Sequence, residues 1–425
     1  HVRDRQAAGS TASVQESGSD SLANSGRSDS KPTTAWRIVP SGTDRQVTVR
    51  SLTKALRQDR GNHTIYRGVV MSLWHKVVPL AAAAQLVAAL WLPPGSILTL
   101  ASTLMLLTAV VSAVHHAEVV AHRVGEPYGT LVLALAVTAI EVALIVSLML
   151  AGGADKAALA RDTIYATVMI ISSGVIGICV LLGALRHREQ SFRIEGAGPA
   201  LSALATLATL VLILPVFTVS APGASYSTTQ LLFVGGSSLL VWCSFVFFQT
   251  VRNRDYFLPA SDTSNEAVHA PPPSNRESWL SFALLMISLV VVVGLAKVLS
   301  PAIEAAVAAA GAPRAIVGII IAMVVLLPES VSAVRAALAN RLQTSMNLAF
   351  GSALASIGLT IPVVVLVAVL LDLPLTLGLA PKDMILLVLS LFVCSIGLGN
   401  GRTNMMQGAA QVVIFAAFLF LSLVP

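Results

Sequence analysis

Charge is scarce in this chain: Asp, Glu, Lys and Arg together make up 11% of its 425 residues, against 55% apolar ones. A soluble globule carries about 25% charge, so the scarcity, with a mean hydropathy of +0.80, excludes that class and points to a membrane protein. Cysteine is nearly missing too. The three present, Cys179, Cys243 and Cys394, all fall inside apolar stretches, which excludes a disulfide framework and reads as packing. Residues 1–65 lack the apolar run of a signal peptide and are rich in Ser, Arg, Asp and Gly; they are expected to form a disordered cytoplasmic tail. The apolar stretches also lack an aspartate dyad, a Ser/His pair or a zinc motif, so no enzyme is expected and no cofactor is implied.

What is present is a series of apolar runs of about 18–25 residues, each able to cross roughly 30 Å of hydrocarbon as a helix. Eleven are read, near 75–92, 97–119, 127–150, 163–185, 198–219, 229–250, 279–299, 314–339, 344–371, 381–397 and 406–424. The fold class is therefore an all-α membrane protein. The net charge of +6 is a matter of topology rather than of nucleic-acid binding. Alternate loops carry Arg123, Arg186, Arg188, Arg193, Arg252, Arg254, Arg276, Arg335, Arg341 and Arg402, whereas the others hold only Lys156, Arg161, Arg314 and Lys382, with Lys297 at a span end. The positive-inside bias predicts a cytoplasmic amino terminus in a cytoplasmic (inner) membrane.

Residues 252–277, with Pro271, Pro272 and Pro273, read as a cytoplasmic linker. It divides the chain into 66–251, holding the first span and a five-span unit, and 278–425, holding a second five-span unit. An odd number of spans per unit requires the second to be inverted relative to the first, the plan of many secondary transporters. Internal similarity supports the division: Glu141 followed by Asp162-Thr-Ile-Tyr165-Ala-Thr167 matches Glu329 followed by Asn347-Leu-Ala-Phe350-Gly-Ser352, with a short insertion at Ala151-Gly152-Gly153 in the first copy.

Glu141 and Glu329 are carboxyls in mid-span, where an ionisable side chain costs about 2.5–3.5 kcal/mol on insertion scales. One reading is structural, a Glu paired with a buried Arg or held protonated for packing. The other is functional: inverted repeats bring the middles of the two spans together, so that both carboxyls face one small volume and hold a hard cation. Ca²⁺ takes six to eight oxygens, so further ligands are needed. Thr138, Thr163 and Thr167 in the first repeat, and Asn347, Ser352 and Ser356 in the second, are the candidate supporting oxygens, with Ser345 and Thr360 on the same helical stripe as Ser352 and Ser356. Pro328, directly before Glu329, is expected to break its helix and free carbonyls. Without a cation, such carboxyls in low dielectric hold protons, and competition for one site couples the two fluxes.

A second group, His115, Glu118 and His122, is spaced i, i+3 and i+7 at a span end, and Glu126 opens the next span. These read either as a proton relay or gate or as a polar helix end at the interface, with Glu126 favouring its helix dipole.

These runs resemble the ChaA-type bacterial calcium/proton antiporters of the cation/Ca²⁺ exchanger superfamily: His115-His116-Ala-Glu118 through His122-Arg-Val-Gly125-Glu126-Pro-Tyr128-Gly129, Glu141, Leu327-Pro328-Glu329, Asn347 through Ser352, and Gly401-Arg402-Thr403-Asn404. The resemblance covers about 70–425. It implies antiport of Ca²⁺ against H⁺, with Na⁺ or K⁺ accepted by some members, and an acid from each repeat in the central site, matching Glu141 and Glu329. One departure is that many calcium exchangers carry a Gly-Asn-Ala-x-Glu motif, whose Asn position is Thr138 here in one repeat and Leu326 in the other. The alternatives kept open are Na⁺/H⁺ or K⁺/H⁺ exchange on the same fold, a passive cation channel and an intramembrane enzyme.

Overall fold

Every apolar stretch folds as one helix. The computed structural model describes residues 74–93, 95–125, 128–152, 156–257, 273–311, 313 and 315–424; the tail and most of the linker lie outside them. Eleven helices are described: α1 (74–91), α2 (Ser96–Val124), α3 (Tyr128–Gly152), α4 (Leu159–His187), α5 (Ile194–Phe217), α6 (Thr228–Arg252), α7 (Asn275–Ala309), α8 (Ala315–Leu338), α9 (Leu342–Leu370), α10 (Pro381–Leu398) and α11 (Met405–Leu423). Nine of the described helices are long and apolar enough to cross a membrane by length and composition. Setting α1 aside leaves five helices before the linker and five after it, as the inverted arrangement requires.

Helix ends agree with the sequence reading to within five residues, with one exception. α7 runs ten residues past the expected 299, through Ser-Pro-Ala-Ile-Glu-Ala-Ala-Val-Ala-Ala. Hydropathy senses membrane thickness, whereas the alanines that follow Pro301 extend the helix through high helix propensity. At 35 residues α7 is about 52 Å long. It starts at a capping box in which Ser274 and Glu277 satisfy each other's backbone amides. Asn404 and Gln407 do the same for α11.

α4 and α9 are the most enclosed helices. α4 is not uniform: Ile170–Val175 forms a π turn, within which the Ser172 hydroxyl lies 2.7 Å from that of Ser390 on α10. Where α4 crosses α11 the backbones nearly touch; a Cβ at Gly408 would stand 2.4 Å from the Leu181 nitrogen, the close approach that small residues permit in membrane bundles. Outward faces carry large apolar side chains such as Trp91, Ile97, Phe392 and Met406, as a lipid-facing surface should.

The buried apolar residues form two separate cores. The larger takes in α4, α5, α6, α9, α10 and α11. The smaller consists of α1, α2 and α7. α3 and α8 contribute to both, through Ile140 and Val325 on one side and Ile145 and Leu326 on the other. A two-residue antiparallel pairing, β1 (Gln190–Ser191) with β2 (Arg402–Thr403), joins the α4–α5 and α10–α11 connections. The Gly401-Arg402-Thr403-Asn404 run thus has an architectural part: a left-handed turn at Gly401 (φ 64°), the β2 strand, and the cap of α11.

The two repeat copies differ in the spacing from acid to next helix, and most of the difference is in the connection. Six residues separate α3 from α4, and three separate α8 from α9.

Candidate functional site

Glu141 and Glu329 are both withdrawn from solvent, 2% and 7% exposed, on α3 and α8. Both helices are apolar over most of their length, so these carboxyls have few partners and those they have are informative. Glu141 is held by hydroxyls from two other helices. Thr167 of α4 donates to Oε1 at 3.3 Å. Ser356 of α9 sits between both carboxyl oxygens, 2.7 Å from Oε1 and 2.6 Å from Oε2. The acid of the first repeat is therefore gripped by a hydroxyl of the second.

Glu329 lies within Coulombic reach of Glu141 and of Glu118. Its Oε2 is buried without a hydrogen-bond partner, and so is the hydroxyl of Thr360, one turn beyond Ser356 on α9. Buried polar atoms are nearly always satisfied, so these two oxygens could serve as ligands of a cation. The set is all oxygen, which suits a hard cation rather than a soft one.

The other expected ligands are placed as follows. Thr138 is buried one turn before Glu141. Thr163 is buried but donates to the Leu159 carbonyl at 2.9 Å. Ser345 is buried and Ser352 half-buried on α9. Asn347 is engaged elsewhere: its amide donates to the Phe257 carbonyl at 2.6 Å and accepts from Gln343 at 2.9 Å, tying the start of the linker to α9. Pro328 does not break its helix. α8 continues through it, because a membrane helix tolerates the loss of one hydrogen bond; only the Val324 carbonyl, four residues back, is deprived of its amide partner.

The structure gives His115, Glu118 and His122 different surroundings. His115 turns toward α1, where its ring stacks on His75 with centroids 3.7 Å apart, and His116 also reaches α1, at 2.9 Å from the His75 carbonyl. Glu118 and His122 are exposed. Of the three residues that spacing puts on one face, His115 is the one α1 packs against. His75 was not found from the sequence because its partners lie some 40 positions away, and a single His at a helix start carries no periodic signal. Glu126 lies outside the described residues.

Removing the grip on Glu141 should be measurable. Ser356→Ala is expected to weaken the apparent cation affinity about tenfold, the worth of one hydrogen bond to a charged group at about 1.5 kcal/mol, as read from half-saturating concentrations in transport assays.

The chain matches the family described as sodium/calcium exchanger protein over residues 95–251 and 280–424, and the interval between the blocks coincides with the linker. It is 48% identical over 363 residues to the putative ionic transporter y4hA of Sinorhizobium fredii, covering 84% of this chain and 98% of that one. It is 37% identical over 330 residues to the sodium-potassium/proton antiporter ChaA of Escherichia coli, covering 77% and 89%. The solved structure of native YfkE shares its fold, with a TM-score of 0.62 at 17% identity, covering 83% of this chain and all of that one.

Proposed function

Because the chain belongs to the sodium/calcium exchanger family, we propose that it exchanges Ca²⁺ for protons by alternating access, with Glu141 and Glu329 as the groups that hold both. The chain is a multi-pass membrane cation antiporter of that family and not an enzyme. The observation that carries the proposal is the bridge from Ser356 to both oxygens of Glu141: it puts an acid of one repeat and a hydroxyl of the other at one point, where two inverted units meet.

Charge balance favours a divalent cargo. Two carboxyls bind two protons or one Ca²⁺ with the same net charge, so the low-dielectric site never carries an uncompensated ion. Glu141 and Glu329, with Thr167, Ser356, Thr360 and Thr138, supply the oxygens, and water completes the shell. On the positive-inside count, the linker and the amino-terminal side are proposed to face the cytoplasm, with export of Ca²⁺ from it across the inner membrane.

A second reading has a specific observation behind it. The relative in Escherichia coli is named for sodium and potassium, and neither repeat offers an amide oxygen three residues before its acid. Collapse of a pH gradient in inside-out vesicles on adding Ca²⁺, Na⁺, K⁺ or Mg²⁺ separates the two. Ca²⁺ is expected to collapse it. A response to Na⁺ or K⁺ alone would transfer the protein to the monovalent reading.

A further inference from the structure

The smaller core is not closed on all sides. At the membrane edge remote from the linker, α2, α7 and α8 part to leave a crevice of about 420 Å³, to which α11 adds Leu423. One wall is the stretch of α7 that runs past the expected span. Leu299, Ile303, Ala306 and Ala310 recur along it every three or four residues and so share one helical face, over about 16 Å of axis. Opposite stand Leu106 and Leu107 of α2, and Ile320 and Val324 of α8.

A smaller cavity of about 50 Å³ adjoins the crevice on its inner side. Leu106, Ile303, Ile320 and Val324 border both, and the inner one reaches Leu144 of α3 and Val325 of α8. Those two side chains belong to the residues three after Glu141 and four before Glu329. Apolar space thus extends from the surface of the bundle to within about one helical turn of each acid.

The lining decides what fills it. The crevice has one hydroxyl, Thr103, which is already bonded to the Thr99 carbonyl at 2.9 Å; that of the inner cavity, Ser300, is bonded to Glu304 at 2.7 Å. A buried water needs two to four polar partners and a hard cation several oxygens, and neither finds them here. Residues 1–65, rich in Ser, Arg, Asp and Gly, have no apolar run to offer it. Leu107 and Ile320 line the crevice and are also exposed on the outer face, so the crevice is continuous with the lipid-facing surface and what reaches it is hydrocarbon. An apolar cavity of about 150 Å³ takes up one benzene; at nearly three times that volume the crevice has room for on the order of fifteen carbons, and its elongated wall suits a chain. Packing favours the occupied state, because an empty apolar cavity leaves its lining without contacts on one side.

We propose that this crevice is a binding site for one acyl chain of a membrane phospholipid, taken from the leaflet remote from the linker, with its methyl end directed toward Leu299 and the wall shared with the inner cavity. A chain seated there fills the seam between α7 of the smaller core and α8, the helix that carries Glu329. The inference stands whichever cation is carried, since none of the residues assigned to the cation lines the crevice.

The test uses the full chain in liposomes containing phosphatidylcholine with a photoreactive diazirine at one of two places, the end of an acyl chain or beside its ester. After illumination the labelled residues are mapped by mass spectrometry. Leu299 is diagnostic: it lines the crevice but is only 2% exposed, so lipid that merely surrounds the bundle does not reach it. The chain-end probe is expected to label Leu299, and the ester-side probe to label Ala310 and Leu423 at the mouth instead. Ala306→Phe, which puts a ring into the crevice, should lower Leu299 labelling about tenfold, the order expected when a packed site is crowded by added carbons, while labelling of Phe392 on the open face of α10 stays unchanged. Leu299 unlabelled by either probe in the native protein would overturn the proposal, and is the result expected if a second copy of the chain covers the crevice. Equal labelling of Leu299 by both probes would overturn it as well, because a seated chain has a direction, and so would full labelling in Ala306→Phe.

Discussion

Glu329→Gln is expected to abolish cation-driven collapse of the pH gradient, by more than about a hundredfold, while leaving the protein inserted and folded. The reasoning is chemical. Gln has the size of Glu but neither ionises nor releases a proton, so the site loses a ligand charge and one of its exchangeable protons together. Taking away one partner of a buried ion pair costs about 3–5 kcal/mol, which sets the magnitude. Folding should be spared because Glu329 Oε2 has no protein partner to lose. Glu141→Gln should be equally inactive, and its amide can still accept from Ser356 and Thr167. Vesicle assays with a thermal melt of the purified variants would decide; exchange retained in either variant would remove the two-carboxylate mechanism.

The second large effect is on pH dependence. On the proposed mechanism protons and cation compete for the same carboxylates, so the cation-bound state holds fewer protons than the empty one. By linkage, affinity must then fall as pH falls. Where both carboxyls titrate, displacement of two protons by one Ca²⁺ makes the half-saturating concentration change about a hundredfold per pH unit, and displacement of one proton by Na⁺ or K⁺ about tenfold. Measuring half-saturation at equal pH on both sides, over several pH values, yields this slope directly. A flat profile would mean that protons and cation use different sites.

The spans could be read from the chain because a bilayer imposes length and apolarity on each segment independently of its neighbours. The acids were legible for a related reason: Glu141 and Glu329 are costly where they stand, so their presence demands explanation. Ser356 was found through its helical stripe. What escaped depends on contacts between distant segments. Asn347 occupied the right place in the repeat, yet Phe257 and Gln343 claim its amide. His75 gains its meaning only from the helix it touches, through His115 on α2. Pro328 was expected to break α8, but proline chemistry alone does not determine whether surrounding helices keep the turn in place.

The division of the apolar interior has a mechanical meaning. α3 and α8, which carry the two acids, are the wall shared by both cores, with α1, α2 and α7 on one side and the remaining helices on the other. On the side of the smaller core the wall presents apolar side chains, Val137, Ile140 and Leu144 from α3 and Val325 from α8. The polar ties are at the two ends: Lys156 with Glu304 of α7 at one, and Glu118 of α2 in the field of Arg335 at the other. A shift of the smaller core along this face would strain those two ties first, because the hydroxyls that hold Glu141 belong to helices of the larger one.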